Sequence, residues 1–391
     1  MNSAGRSPRV TALLAAALLV LFVGLRIAVN DGEPSAFVYS GDAFVDRAAA
    51  PAELRYIRKD SVGYDGQFVY RLALDPLTRR KVDFGMTLDL PAYRQQRIAL
   101  PALAWLLARA SPLSTLWSLL LINMLALVAA AYAGALLAVR WGRNPLWGLL
   151  IAFAPGLVVG LSRGLTEPLS LAFLVAGLVC WLDRRHLLAG ALFTAGILTR
   201  ETVGVALVGL GVGLIAQQVR SRRWPGPADV SAYAALAVPV LALLGWQLLL
   251  KSWWGEVPAG TSGSNLGVPV IGVVRTLFNT RLSGRLIDTG VPMAVLWAVE
   301  RIWLLLVIGF AALSLRRSQA GAVRWAWGAL ALLALSLEGW VYDIQFLRAT
   351  NEAAVLSVLL VMSRPGRGAT RILVVSAALA AVVCVWFIVH A

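Results

Sequence analysis

The chain has 391 residues, 59% of them hydrophobic, and a formal net charge of +15. Its mean hydropathy of +0.75 and its repeated apolar runs, near the ~20 residues that cross a bilayer core, exclude a soluble globular protein and leave room for no soluble domain longer than about 70 residues. A membrane protein gathers Lys and Arg in its cytoplasmic loops, so the charge does not argue for a nucleic-acid partner, and none is expected.

Two cysteines, Cys180 and Cys384, lie inside apolar runs, which removes any disulfide framework. The two histidines, His186 and His390, sit beside or within hydrophobic segments. No Cys/His metal spacing occurs, no metal ligands are assigned, and a His-based catalyst is not expected.

In chain order, Arg6 and Arg9 precede an apolar run of roughly 10 to 29. The run is long and lacks a small-residue cleavage pattern, so it reads as a retained span with its N-terminus inside. Residues 30 to 97 follow and hold ten of the twenty Asp and Glu. This loop is expected to be extracytoplasmic. Ile98 to Ala110 is apolar but, at 1.5 Å per residue, covers only about 20 Å, and reads as a re-entrant or interfacial helix.

Spans are then expected at about 114 to 139, 145 to 161, 165 to 182, 187 to 199, 202 to 217, 231 to 250, 292 to 314, 324 to 337, 350 to 363 and 372 to 390. With the first they make eleven, and the expected fold class is an all-α polytopic membrane protein. The positive-inside rule supports this parity. The loops falling inside carry Arg140 and Arg143, Arg184 and Arg185, Arg220, Arg222 and Arg223, Arg316, Arg317 and Arg324, and Arg364, Arg367 and Arg371. The opposite parity would export nearly all of them.

A turn is expected at Arg200-Glu201, because one uninterrupted helix over 187 to 217 would place Arg220 to Arg223 outside. A charged turn at such depth has to face protein or a water-filled cavity. A second outer loop runs from Lys251 to Gly290, with Trp253 and Trp254 as expected interfacial anchors and a Gly-rich, mobile middle at Gly260, Gly263 and Gly267.

This topology gathers ionisable residues on the outer face: the 30 to 97 loop, Arg163 and Glu167, Arg200 and Glu201, Glu256, Glu338, Asp343, Arg348 and Glu352. Charges this close to a bilayer are costly unless they face one another or bind something polar, so the outer rim is the expected functional site. Within the loop, Asp65 reads as the N-cap of a helix to about Leu74, ended by Pro76. Phe68 with Leu72 and Val69 with Ala73, at i and i+4, would lay that helix on the interface with its apolar side down.

The order of features resembles membrane glycosyltransferases of the GT-C superfamily, and looks most like the lipid A aminoarabinose transferases and protein O-mannosyltransferases. The residues that carry the resemblance are Tyr64-Asp65-Gly66-Gln67-Phe68-Val69-Tyr70-Arg71-Leu72-Ala73 and Arg97-Ile98-Ala99-Leu100-Pro101-Ala102-Leu103-Ala104-Trp105. Leu198-Thr199-Arg200-Glu201 looks like the family's Leu-Thr-Lys-Gly turn, and Ser162-Arg163-Gly164-Leu165-Thr166-Glu167-Pro168-Leu169 like the segment before its next span. Gly66 stands where the family has a Glu, and the likeness covers roughly residues 1 to 220. That region is the expected catalytic module, with its extracytoplasmic loop at 30 to 113. Residues 221 to 391 supply further helices and the outer loop at 251 to 291.

The resemblance implies transfer of a sugar, usually with inversion, from a polyprenyl-phosphate-linked donor to a lipid, glycan or protein acceptor at the outer face of the plasma (inner) membrane, among membrane lipids. A carboxylate would take the acceptor's proton, and Asp65 is the first choice, followed by Asp42 and Asp46. Arginines would hold the lipid phosphate: Arg200 first, then Arg163, Arg348, Arg94 and Arg97. Glu167 and Glu201 would orient those arginines, and Tyr64 and Gln67 would line the substrate site. No cofactor is implied, and a divalent-metal requirement stays open. The alternative is a secondary transporter or flippase, suggested by Glu300 and Arg301 inside a span and by possible helix breaks at Pro155-Gly156 and Pro239.

Overall fold

The computed structural model describes residues 7–222, 226–258, 266–278, 291–341 and 343–389. Arg6, Arg223, Gly260 and Gly263 lie outside the described residues. Among the described residues, six helices are long and apolar enough to cross a membrane: Pro8–Val29 (α1), Thr115–Arg140 (α5), Val203–Ser221 (α10), Pro227–Trp254 (α11), Val291–Ser314 (α13) and Arg367–Val389 (α17). A bent pair, Pro145–Ala152 with Pro155–Ser162, makes up to seven. Glu167–Leu182 (α8), His186–Thr199 (α9), Val323–Ser336 (α14) and Asn351–Met362 (α16) are apolar but shorter.

The expected span at 145 to 161 is thus two pieces bent by 50°, Pro145–Ala152, which ends in the α-helical turn Leu149–Ala152 (α6), and Pro155–Ser162 (α7). Pro155 has no N–H to continue the ladder and pushes Ala154 out of the helical region, to ψ 136°. Pro239 does not do the same, since α11 runs through it without a break. Arg200 leaves helical geometry at φ −157°, ψ 126°, so the chain does turn between α9 and α10. The short α16 is buried over its whole length, which accounts for apolar residues on every face.

Two clusters of helix ends can be followed through their hydrogen bonds. At one end Arg140 binds Asp183 at 2.5 Å, while Arg143 donates to Met362 O at 3.2 Å and to the carbonyl of Arg364. At the other, residues of the 30 to 97 loop meet the Arg200 turn and Arg348.

The loop is a folded unit. Ser40–Gly41 (β1) pairs parallel with Ile57–Arg58 (β2), and Val82–Asp83 (β3) pairs antiparallel with Met86–Thr87 (β4). Its helix, Gly66–Leu74 (α2), is buried around most of its circumference. The expectation of an interfacial helix with one apolar side down is therefore corrected. Phe68 and Leu72 pack on Leu88 and Phe44 of the loop itself, whereas Tyr70 and Ala73 join the main core. The Tyr70 hydroxyl donates to Glu53 at 2.6 Å, and the fully buried Arg71 reaches Thr78 and Asp83 at 3.4 and 3.7 Å. Two further helices, Pro91–Gln95 (α3) and Ala99–Ala110 (α4), lead to α5. Trp253 and Trp254 hold this loop: Trp254 donates to Gln95 Oε1 at 2.7 Å, and the Arg79 guanidinium lies 4.7 Å from the Trp253 ring.

Gly66 is required by space. A Cβ built there would stand 1.9 Å from Arg163 O and 2.7 Å from Val38 O, so no side chain fits where α2 starts against α7. A Gly66→Ala substitution should push α2 off this backbone, at a cost of at least the ~1–3 kcal/mol typical of overpacking. It should lower the unfolding midpoint of the detergent-solubilised protein by several degrees; an unchanged midpoint would show that the loop yields freely.

Candidate active site at the loop and helix ends

Asp65 stands at the entrance to α2 in helical geometry (φ −57°, ψ −23°), and its side chain makes no capping hydrogen bond. The expected N-cap role is corrected. An αR residue does not aim its carboxylate at the first turn's N–H groups, and Asp65 turns instead toward two guanidiniums. Oδ1 lies 2.8 Å from Arg94 Nη1, and Oδ2 accepts from Arg348 Nη1.

From this pair the network spreads in both directions. Arg94 forks onto Asp89 (2.8 Å from Nε, 2.6 Å from Nη2) and lies 4.3 Å from the Phe68 ring. Arg348 also donates from Nε to Glu167, which is fully buried at the start of α8. Arg200 stands 3.5 Å from the same Glu167 oxygen and 3.1 Å from Glu352, and donates to the Arg348 carbonyl at 3.0 Å. The Thr202 hydroxyl completes this end by donating to Glu352 at 2.7 Å. Beside it, Arg97 grips Glu201 with two bonds, 3.0 Å from Nε and 2.5 Å from Nη2, and reaches the Tyr93 hydroxyl at 3.3 Å.

These side chains wall a cavity of about 600 Å³. Asp65, Asp89, Glu201 and the guanidiniums of Arg94, Arg97, Arg200 and Arg348 face it, three carboxylates against four cations. Its other wall is apolar: Val205 from α10, Leu333 from α14, Leu337, and Leu266 from the segment between α11 and α13. That segment is held over the cavity by Gly267 N to Ser336 O and Val270 N to Leu335 O, both 2.7 Å. The site takes Arg348 and Glu352 from beyond residue 220, so the first 220 residues alone do not complete it.

Charge sets the protonation state of the loop residues. Burial pushes the Asp65 carboxyl up, but the guanidiniums of Arg348, Arg94 and Arg97 outweigh it and hold the group well below the usual carboxylate range. At Glu201 burial is likewise outweighed by Arg97, to about 2. Both are carboxylates at every physiological pH.

The other residues expected at the site fall into two groups. Tyr64 and Gln67 line the cavity. Gln67 is also a brace, accepting from Gly41 N at 3.1 Å and donating to Val62 O at 2.8 Å. Glu167 lies just behind the wall. Asp42, Asp46 and Arg163 are not among the lining residues. Asp42 is exposed and tied to Asp60 N and Ser61 N at 2.9 and 3.0 Å, N–H groups that hold it below the ordinary range. Asp46 is exposed and accepts from Ala48 N. Arg163 stacks on Tyr39, on the far side of the α2 entrance.

Asp89 and Tyr93 were missed. Their signal was faint: Asp89 precedes Leu90-Pro91, a helix start, and Tyr93, Arg94 and Arg97 fall at one-turn spacing. Among the described residues, no group of three His, Cys, Asp or Glu is arranged to hold a metal ion.

No protein-family model matches the chain, and no curated protein matches it in sequence. In fold the chain is similar to the oligosaccharyltransferase of Archaeoglobus fulgidus, a crystal structure in the apo form. The superposition covers 99% of this chain and 56% of that one, with a TM-score of 0.51 and 12% sequence identity. The chain thus spans little more than half the length of the protein it matches, and what the two share is the helical membrane fold.

Proposed function

We propose that the protein is a membrane glycosyltransferase that moves a sugar from a polyprenyl-phosphate-linked donor to a hydroxyl acceptor at the extracytoplasmic face, with Asp65 as the general base. The observation that carries this reading is the position of Asp65, a carboxylate held between Arg94 and Arg348 on the wall of a cavity that is charged on one side and apolar on the other. The archaeal oligosaccharyltransferase of similar fold supports the class of reaction.

In this reading the donor phosphate lies against Arg94, Arg97 and Arg348, with Arg200 behind them, and its lipid chain leaves along Val205, Leu333 and Leu337. The acceptor oxygen attacks the anomeric carbon from the opposite side. As that C–O bond forms, the bond from the sugar to the phosphate oxygen breaks, and the phosphate takes the electron pair. Asp65 Oδ receives the acceptor's proton, and fixed guanidiniums hold the charge that grows on the departing phosphate. Arginine suits this work because it keeps its proton and presents parallel N–H groups to phosphate oxygens.

The geometry carries a further requirement. A carboxylate gripped by two guanidiniums is a weak base, whereas a phosphate that draws Arg94 and Arg348 toward itself frees Asp65 and raises its affinity for a proton. Donor binding would then switch the base on. The transport alternative loses part of its basis, since Pro239 breaks no helix and Arg301 donates to Trp340 O and Trp297 O, at 3.0 and 3.1 Å.

The primary test is incubation of the purified protein with several polyprenyl-phosphate sugars, measuring release of polyprenyl phosphate; no release with any donor, over a range of acceptors, would reject the reading. Asp65→Asn should lower turnover about 10² to 10⁴ fold in protein that is still folded and inserted, with a lowered unfolding midpoint because Arg94 and Arg348 lose their charged partner. In pH profiles the acid limb of kcat/KM, which reports the free enzyme with its depressed Asp65, should lie below the acid limb of kcat; superimposed limbs would remove the donor-dependent switch.

The side of the membrane can be read separately. In a background lacking Cys180 and Cys384, Lys59→Cys should react with a membrane-impermeant maleimide on intact cells, and Arg185→Cys only after permeabilisation. The reverse pattern would invert the topology.

A further inference from the structure

Arg163 belongs to a second cationic cluster, on the other side of Tyr64 from the cavity. The Tyr64 ring lies 5.7 Å from the Arg348 guanidinium carbon and 5.8 Å from that of Arg163. The Arg163 guanidinium carbon is 3.3 Å from the centroid of the Tyr39 ring, and that of Arg58 is 4.0 Å from the same point. Two guanidiniums this close to one centroid would overlap on a single face, so they take opposite faces. Arg26, in the last turn of α1, completes the cluster. It is fully buried and donates to Ser162 O at 3.3 Å and to the Phe387 carbonyl of α17.

The cluster is rich in cations and poor in acceptors. Arg163 is only 6% exposed, yet its Nε and Nη1 have no hydrogen-bond partner among the described residues; the same holds for Nε of Arg26. No described carboxylate pairs with either, and besides the two carbonyls that Arg26 reaches the polar groups near them include the phenols of Tyr39 and Tyr56, with Tyr64 beside Arg163. Buried guanidiniums with unfilled donors are destabilising unless an anion completes them. Within the site around Asp65 every arginine has a carboxylate partner; here neither Arg26 nor Arg163 does.

We propose that Arg163 and Arg26, with Arg58 at the mouth, form a phosphate-binding site separate from the cavity, reached past the half-exposed Tyr39 and Tyr56. The planar fork of Arg163 suits two phosphate oxygens, and the ring beneath it fixes the orientation of the fork. The phosphate comes either from the headgroup of an anionic phospholipid or from a free phosphate anion. Either one would fasten the β1–β2 pair of the loop, through Tyr39 and Arg58, to the ends of α1, α7 and α17. This site does not depend on what the cavity around Asp65 turns over.

The test compares unfolding midpoints of the full-length protein, first in phosphate-free detergent with added inorganic phosphate, then in nanodiscs of phosphatidylcholine with or without phosphatidylglycerol. The wild type should show a saturable rise in at least one arm. A rise with inorganic phosphate and none from phosphatidylglycerol identifies a free anion, and the converse a headgroup. Arg163→Gln should remove this site's part of the shift, leaving only what the cavity around Asp65 contributes, and Arg163→Lys should reduce the shift less. Arg58→Gln, a change at the half-exposed mouth, should weaken the shift even if the Arg163 variants fail to fold. Absence of a shift in both arms, or shifts of unchanged size in the variants, would overturn the proposal.

Discussion

The structure depends on one chain of buried ion pairs. Asp65 in the loop binds Arg348, Arg348 binds Glu167, Glu167 faces Arg200, and Arg200 binds Glu352. These five residues come from four separate segments of the chain, so the pairs fix the loop against three sets of helix ends at once. Removing one partner of such a buried pair typically costs about 3–5 kcal/mol, because the charge left behind has no water to turn to. The cavity exists because the network keeps the loop and the Arg200 turn apart at a fixed distance while the apolar ends of α10 and α14 close the other side.

The same network puts a doubly paired carboxylate, Asp65, on the wall of a cavity that carries a surplus of cations. Four guanidiniums on the cavity wall are more positive than the three carboxylates beside them, and that surplus suits a phosphate. The arginines are held in place by acids behind the wall, Glu167 and Glu352, and by Asp89 and Glu201 at its edge.

Much of this could be read from the residues, for identifiable reasons. Arg200 and Arg348 stood out because ionised groups at the ends of apolar runs are expensive and need a partner, and Asp65 because of its place in the Tyr64 to Ala73 stretch that carries the resemblance. The break at Arg200-Glu201 followed from the charge of the next loop, and the break at Pro155 from the missing N–H. Other features were misread where local rules met tertiary packing. Asp65 occupies a capping position and does not cap, because Arg94 and Arg348 offer it two guanidiniums. The α2 helix has an amphipathic period but is buried nearly all round, because Leu88 and Phe44 of its own loop cover the side assigned to the membrane. Gly66 looked like a lost acid, and the backbone of Arg163 shows that no side chain could stand there.

By itself the sequence determined the class of protein, the polar loop between the first apolar runs, the turn at Arg200 and the short list of ionisable residues from which any site must be drawn, while of the two proline breaks it offered only the one at Pro155 occurs. Those are properties of runs and spacings, which hydropathy and backbone chemistry dictate locally. Only the tertiary structure decided how the list divides. Arg94, Arg97, Arg200 and Arg348 face one cavity with Asp65, Asp89 and Glu201, while Arg163 joins Arg26 and Arg58 around Tyr39, and Asp42 and Asp46 stay at the surface. The physical reason is that a charge chooses its partner by distance and burial, and residues 65 and 348 become neighbours only when distant helix ends pack together.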